Sequence, residues 1–182
     1  MRRRIAFWSW EEFTRERIFE KIGMNGAQFS VEDSQKSLDF AQPYSSGSLL
    51  PFKNIKSVGP AGAINASMRD AVKWLAFWQR GGLTESGERL VSQEKMARLF
   101  RKESSEKIPD VGVEFDYGLG WILNEVAGKK VYWHSGNIDG FSAHVSFLSG
   151  ENLGLVVLTN ENSGNAYQLP WKLEKNGKEQ KL

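Results

Sequence analysis

The sequence predicts an α+β chain, with a helical N-terminal half followed by an antiparallel sheet of three to four strands. Apolar residues recur at helical spacing between capping patterns in the first half, and from Tyr117 the period shortens to that of strands. The last connections are too short to carry a crossover, so the strands they join must pair antiparallel. With 182 residues, 40% of them hydrophobic, the chain can bury the core of one domain. Its seven Trp and eleven Phe need such a core, which argues against disorder.

The first helix opens at Ser9-Trp10-Glu11-Glu12, a capping box in which Ser9 caps the backbone near Glu12 and Glu12 reaches back. Trp10, Thr14, Ile18 and Ile22 then repeat every four residues, flanked by Phe13 and Phe19, and Gly23 supplies the stop. Residues 25–56 hold Pro43 and Pro51, show no sustained period and read as a long loop, a candidate active-site rim. Gly59-Pro60-Ala61-Gly62 is a turn. Ser67-Met68-Arg69-Asp70 caps a second helix with the apolar stripe Met68, Ala71, Val72, Leu75 and Trp78, ended by Gly81-Gly82. A third, shorter helix over about 92–101 buries Met96, Leu99 and Phe100. Residues 117–123, 131–134, 141–148 and 153–159 read as strands, separated by Gly128-Lys129, Asn137-Ile138-Asp139-Gly140 and Gly150-Glu151-Asn152.

Composition also excludes several function classes. The net charge is only +2 and no basic stripe with interleaved aromatics appears, so no nucleic-acid partner is expected. The absence of Cys removes disulfides, thiolate nucleophiles and Cys-based metal sites. His134 and His144 have no matching carboxylate cluster, so no metal or other cofactor is expected. No stretch approaches transmembrane length. The opening Met1-Arg2-Arg3-Arg4 is followed by an apolar run that stops at Ser9, too short for a signal peptide, and the compartment stays open.

The segment richest in chemistry is Trp133-His134-Ser135-Gly136-Asn137-Ile138-Asp139-Gly140-Phe141-Ser142. Acyl transfer needs donors aimed at a developing oxyanion. An edge strand offers unpaired N–H groups, and Gly136 lets a substrate approach the backbone. The Ser135 hydroxyl is able to hydrogen-bond a substrate carboxylate or carbonyl, and His134 supplies polarity or a proton. In a hairpin turning at Ile138-Asp139, Ser135 and His144 would share a face as diagonal neighbours. With no third member to orient it, His144 reads better as an ordinary sheet residue. Trp121 and Trp133 read as core or cleft wall, Asp70 as a cap, and Asp110 and Asp116 as loop residues.

These ten residues resemble the third active-site motif of serine β-lactamase-like hydrolases, the superfamily of β-lactamases, penicillin-binding proteins and related esterases and peptidases. The flanks strengthen the likeness. Ile18-Phe19-Glu20-Lys21-Ile22-Gly23-Met24 resembles the family's "IF-x-PLGM" helix end, and residues 59–77 its "GPAGG-x-x-S-x-x-D" turn and helix. Tyr117-Gly118-Leu119-Gly120-Trp121 resembles its "YGLGW" strand, and Leu155-Val156-Val157-Leu158-Thr159-Asn160 its last central strand. The likeness runs over roughly 8–162 in the family's order and is nearest the branch with His in the third motif. It implies a partial β-lactamase/transpeptidase-like fold and acyl transfer from an amide, β-lactam or ester, with a small molecule or peptide as substrate. It also implies that His134, Ser135 and Gly136 form the substrate side of the cleft, with the backbone N–H of Asn137 as one oxyanion donor.

The family's Ser-x-x-Lys and Tyr-x-Asn motifs precede the segment matched by Ser9 to Met24, and only eight residues lie ahead of Ser9. Ser92-Gln93-Glu94-Lys95 and Ser104-Ser105-Glu106-Lys107 spell Ser-x-x-Lys. Ser92 reads as the N-cap of a peripheral helix, with Lys95 as its partner in the alternative reading as a nucleophile, and the second stretch reads as a charged loop. Ser163-Gly164-Asn165 matches Ser-x-Asn but follows the third motif. The expectation is a family domain over 1–162 that is incomplete and inactive alone, then a polar tail or degenerate helix over 163–182. The strand from Leu153 to Thr159 would then be a free apolar edge, open to self-association or a partner chain. A non-catalytic binding module is the rival expectation.

Overall fold

The structure is a computed structural model that describes residues 8–107, 114–126 and 128–162. Asp110 and the expected tail over 163–182 lie outside these residues.

The first helix forms where the capping box predicts it. Ser9 Oγ accepts from the Glu12 N–H, and the Glu12 carboxylate accepts from the Ser9 N–H. The helix runs through α1 (Trp10–Thr14), a π-helical turn (Arg15–Phe19) and α2 (Glu20–Ile22), and ends on Gly23 in the left-handed region at φ 78°. The 25–56 stretch is less bare than its sequence reads. It holds a single turn of helix, α3 (Val31–Ser34), and a two-residue hairpin, β1 (Tyr44–Ser45) with β2 (Ser48–Leu49). A 3-10 turn (Lys56–Val58) leads into α4 (Gly59–Gly62), so the Gly-Pro-Ala-Gly turn is a helical one.

Helix α5 (Met68–Gln79) carries the second capping box, with Ser67 and Asp70 as its members. Its apolar stripe is rotated from the expected one. Leu75, Phe77 and Trp78 are buried, whereas Met68 and Val72 are about half exposed. The reason lies in docking: α5 presses the Leu75 side onto the sheet, so tightly that a Cβ on Gly154 would lie 2.6 Å from Leu75 Cδ2. Helix α6 (Gln93–Leu99) is capped by Ser92.

The strands form one six-stranded antiparallel sheet in sequence order. They are β3 (Ser104–Lys107), β4 (Glu114–Tyr117), β5 (Ile122–Val126), β6 (Lys129–Ile138), β7 (Phe141–Leu148) and β8 (Gly154–Thr159). Two strands exceed the expected three to four. Ser104 to Lys107, expected as a charged loop, is instead β3 and is fully exposed. It carries no apolar alternation to announce itself, and it is held to β4 by the backbone ladder and polar side chains. The Asp116 carboxylate, expected in a loop, sits in β4, where it accepts from Ser105 Oγ at 2.9 Å and pairs with Lys102 at 2.7 Å. The expected strand 117–123 is cut by the turn at Gly118–Gly120, where the Gly118 N–H donates to the Trp121 carbonyl.

One face of the sheet carries Tyr132 and Phe147, directly paired across β6 and β7. They pack with Trp121, Phe100 and Trp78 in a continuous aromatic cluster, Phe100 stacking on Tyr132 at 4.2 Å between centroids. Phe19, Ile22, Met24, Ala27 and Phe77 complete the core beneath it. Trp121 is therefore core rather than cleft wall. Among the described residues no helix is long and apolar enough to cross a membrane.

Candidate functional site

Strand β6 is ten residues long, and β5 covers only its first half. The ladder between them runs from Val126 paired with Lys129 to Ile122 paired with Trp133 and stops there. The ladder to β7 continues to Ile138. Residues 134–138 are thus held on one side by β7 and, among the described residues, have no strand on the other. The strand expected at an edge is an inner one, and only its second half is open on one side among the described residues. The opening exists because the turn at Gly118–Gly120 takes the chain away from β6.

His134 is exposed at the start of this open stretch. Its Nε2 lies 3.1 Å from the Tyr117 hydroxyl and its Nδ1 lies 2.7 Å from the Ser135 carbonyl oxygen. A carbonyl only accepts, so neutral His134 carries its proton on Nδ1, and Nε2 accepts from the Tyr117 O–H. Sequence spacing alone does not mark Tyr117 as a neighbour of His134. It opens the Tyr-Gly-Leu-Gly-Trp segment, but only the tertiary fold brings it to His134.

Ser135 points to the opposite face of the sheet, as strand alternation requires. It is half-buried, directly opposite His144 rather than diagonal to it, and its Oγ lies 2.8 Å from His144 Nδ1. His144 is 3% exposed and stacks on Trp133 at 5.7 Å between centroids. Burial, with His134 nearby as a lesser cause, pushes its pKa down to about 4. The cross-strand pair thus closes, although Asp139 is at the turn, 3.0 Å from Lys53 Nζ, and does not orient the ring.

Gly136 is exposed, and a Cβ built there would meet nothing within 4 Å, so the backbone faces open space. The side chain of Asn137 is engaged: its Oδ1 accepts from Ser142 Oγ at 2.9 Å and from Asn162 Nδ2 at 2.6 Å. Asn162 also donates to the Ile138 carbonyl and accepts from the Gly140 N–H, stapling the hairpin turn. The 25–56 stretch meets this turn as a rim would: Tyr44 donates to the Gly140 carbonyl at 3.4 Å, and Phe52 stacks on Phe141 at 6.3 Å.

Ser92 Oγ accepts from the Lys95 N–H at 3.3 Å, which is helix capping. Two concave regions, of about 380 Å³ between α6 and the sheet and about 630 Å³ beside the π-helical turn and α2, are lined by other residues than 134–137. The open edge of β6 belongs to neither of them. Among the described residues no group of three or more acidic or His side chains is placed to hold a metal.

Comparison with known proteins bears on the family and the fold. The family model described as Beta-lactamase matches residues 3–174. An unguisins hydrolase of Aspergillus campestris is 27% identical over 157 residues, covering 82% of this chain and 28% of that protein. A D-aminopeptidase of Brucella anthropi is 30% identical over 162 residues, covering 87% of this chain and 28% of that one. The chain thus spans little more than a quarter of the length of these relatives. The octameric penicillin-binding protein homologue from Pyrococcus abyssi superposes with a TM-score of 0.71 at 25% identity, over 92% of this chain and 39% of that one.

Proposed function

The chain belongs to the beta-lactamase family, and from that premise we propose that it supplies the substrate-side wall of an acyl-transfer cleft. The attacking serine and its lysine would come from outside these 182 residues. The observation that carries this reading is the open half of β6, where, among the described residues, 134–138 have no strand on one side and Gly136 has no neighbour within 4 Å of an added Cβ.

Each residue then has a defined task. His134, fixed in one tautomer by Tyr117 and the Ser135 carbonyl, presents a polar ring at the cleft. Ser135 donates from its hydroxyl to a carboxylate or carbonyl of the ligand. Gly136 admits the ligand to the backbone, and the Asn137 N–H stabilises the oxyanion of the tetrahedral intermediate. The substrate class is an amide, β-lactam or ester. The D-aminopeptidase relative favours an amide of a D-amino acid.

The chain alone is then without turnover, because the wall orients and polarises but does not attack. Intact-mass spectrometry after incubation with a fluorophosphonate and a fluorescent penicillin is expected to show no adduct. An adduct on any serine of the chain overturns this, and one on Ser92 would make Ser92 and Lys95 the dyad. In a ¹⁵N-labelled sample, D-alanine amide at millimolar concentration is expected to shift the amides of 134–137.

A second reading has its own observation. Strand β8 pairs only with β7 among the described residues, and Leu153 just before it and Leu158 within it are exposed. In this reading the chain is a binding module that adds a strand from a partner or a second copy to that edge.

A further inference from the structure

Across the β6–β7 ladder from the open edge lies a group that the cleft wall does not use: a buried, neutral histidine with only one of its nitrogens engaged. We propose that His144 is a positioning residue for Ser135, its Nδ1–H donating to Ser135 Oγ so that the hydroxyl proton is turned toward a ligand acceptor. This rests on the reading of the open edge as a ligand-facing wall.

The argument runs through the two ring nitrogens. Nδ1 lies 2.8 Å from Ser135 Oγ, and among the described residues the buried Nε2 has no hydrogen-bond partner. The ring is neutral, because burial chiefly and His134 secondarily hold its pKa near 4, so it carries one proton. Placed on Nε2, that proton would be a buried donor without an acceptor, the costlier of the two defects. Placed on Nδ1, it is used, and Nε2 keeps only an unfilled lone pair. The stacked Trp133 indole and the direct register of Ser135 with His144 hold the ring in the orientation that makes this bond.

A hydroxyl oxygen that accepts from a neighbour still has its own proton to give. With His144 as donor, the Ser135 O–H is left pointing away from the sheet interior. The reverse tautomer would turn the hydroxyl inward, leaving Ser135 only lone pairs for a ligand. His144 thus selects ligands that present an acceptor, a carboxylate or carbonyl oxygen, and disfavours those that present an N–H at that place.

Long-range ¹H–¹⁵N correlation of the imidazoles in the full chain tests this, with His134→Gln separating the two rings. The expected result at pH 7 is a single His144 species protonated at Nδ1. A species protonated at Nε2 overturns the proposal. Ser135→Ala is expected to shift the His144 Nδ1 resonance and Ser135→Thr to restore it, whereas no shift in the alanine variant also overturns it. Should Ser135→Ala fail to fold, Ser135→Gly takes its place. Failure of D-alanine amide to perturb residues 134–137 would strike at the cleft reading and leave the tautomer result intact, so the two failures are distinguishable.

Discussion

Tyr117 and His134 meet nearly edge-on, rings 69° apart and 6.0 Å between centroids, with the phenol oxygen 3.1 Å from the imidazole Nε2. They come from strands that are not neighbours, since β5 lies between β4 and β6 in the sheet order. The contact exists because β5 stops at Ile122 opposite Trp133, leaving the end of β4 free to reach over.

Removing the phenol oxygen should therefore act locally. Tyr117→Phe is expected to cost about 1 kcal/mol or less in urea denaturation, because the hydrogen bond is solvent-accessible and water replaces the donor. The same variant should move the His134 Nε2 resonance. An unmoved resonance would mean that the bond does not form in solution.

The pH dependence of stability follows from His144. Its folded pKa, about 4, lies below the unfolded value near 6.5, so the unfolded chain takes up the proton first. The contribution is full above pH 6.5, falls as pH drops toward 4, and does not change further below that. The loss over this window is expected to be about 3 kcal/mol, since His144 is buried and little screened. Urea midpoints at pH 7 and pH 4 measure it, and His144→Asn should flatten that part of the profile.

Gly140 closes the hairpin at φ 83°, and a Cβ there would lie 2.1 Å from Pro43 Cβ. Gly140→Ala combines backbone strain with a collision against a fully buried proline. The expected destabilisation is about 3 kcal/mol. A thermal shift indistinguishable from the parent would mean that the 25–56 stretch does not seat against this turn.

The β8 edge gives a concentration-dependent prediction. Sedimentation at micromolar concentration is expected to show self-association, and Leu158→Lys to reduce it, because a charge on an edge opposes strand addition. Leu158 is 38% exposed, so the change should leave the fold in place. A compact monomer in the parent chain would remove the edge as an interface.

The sequence determined local structure wherever the signal was local. Both capping boxes, the Gly23 stop, the α6 cap at Ser92 and the antiparallel order of the last three strands were legible, since neighbours along the chain set them. The family likeness was legible too, carried by segments in a fixed order. Tertiary structure decided what depends on residues far apart. Strand β3 could not be read because its exposed polar residues have no apolar alternation, and the rotation of α5 was fixed by its docking on Gly154. Most of all, the half-covered state of β6, the approach of Tyr117 to His134 and the direct pairing of Ser135 with His144 are matters of strand length and register. Those depend on where each ladder ends, and a ladder ends where its partner turns away.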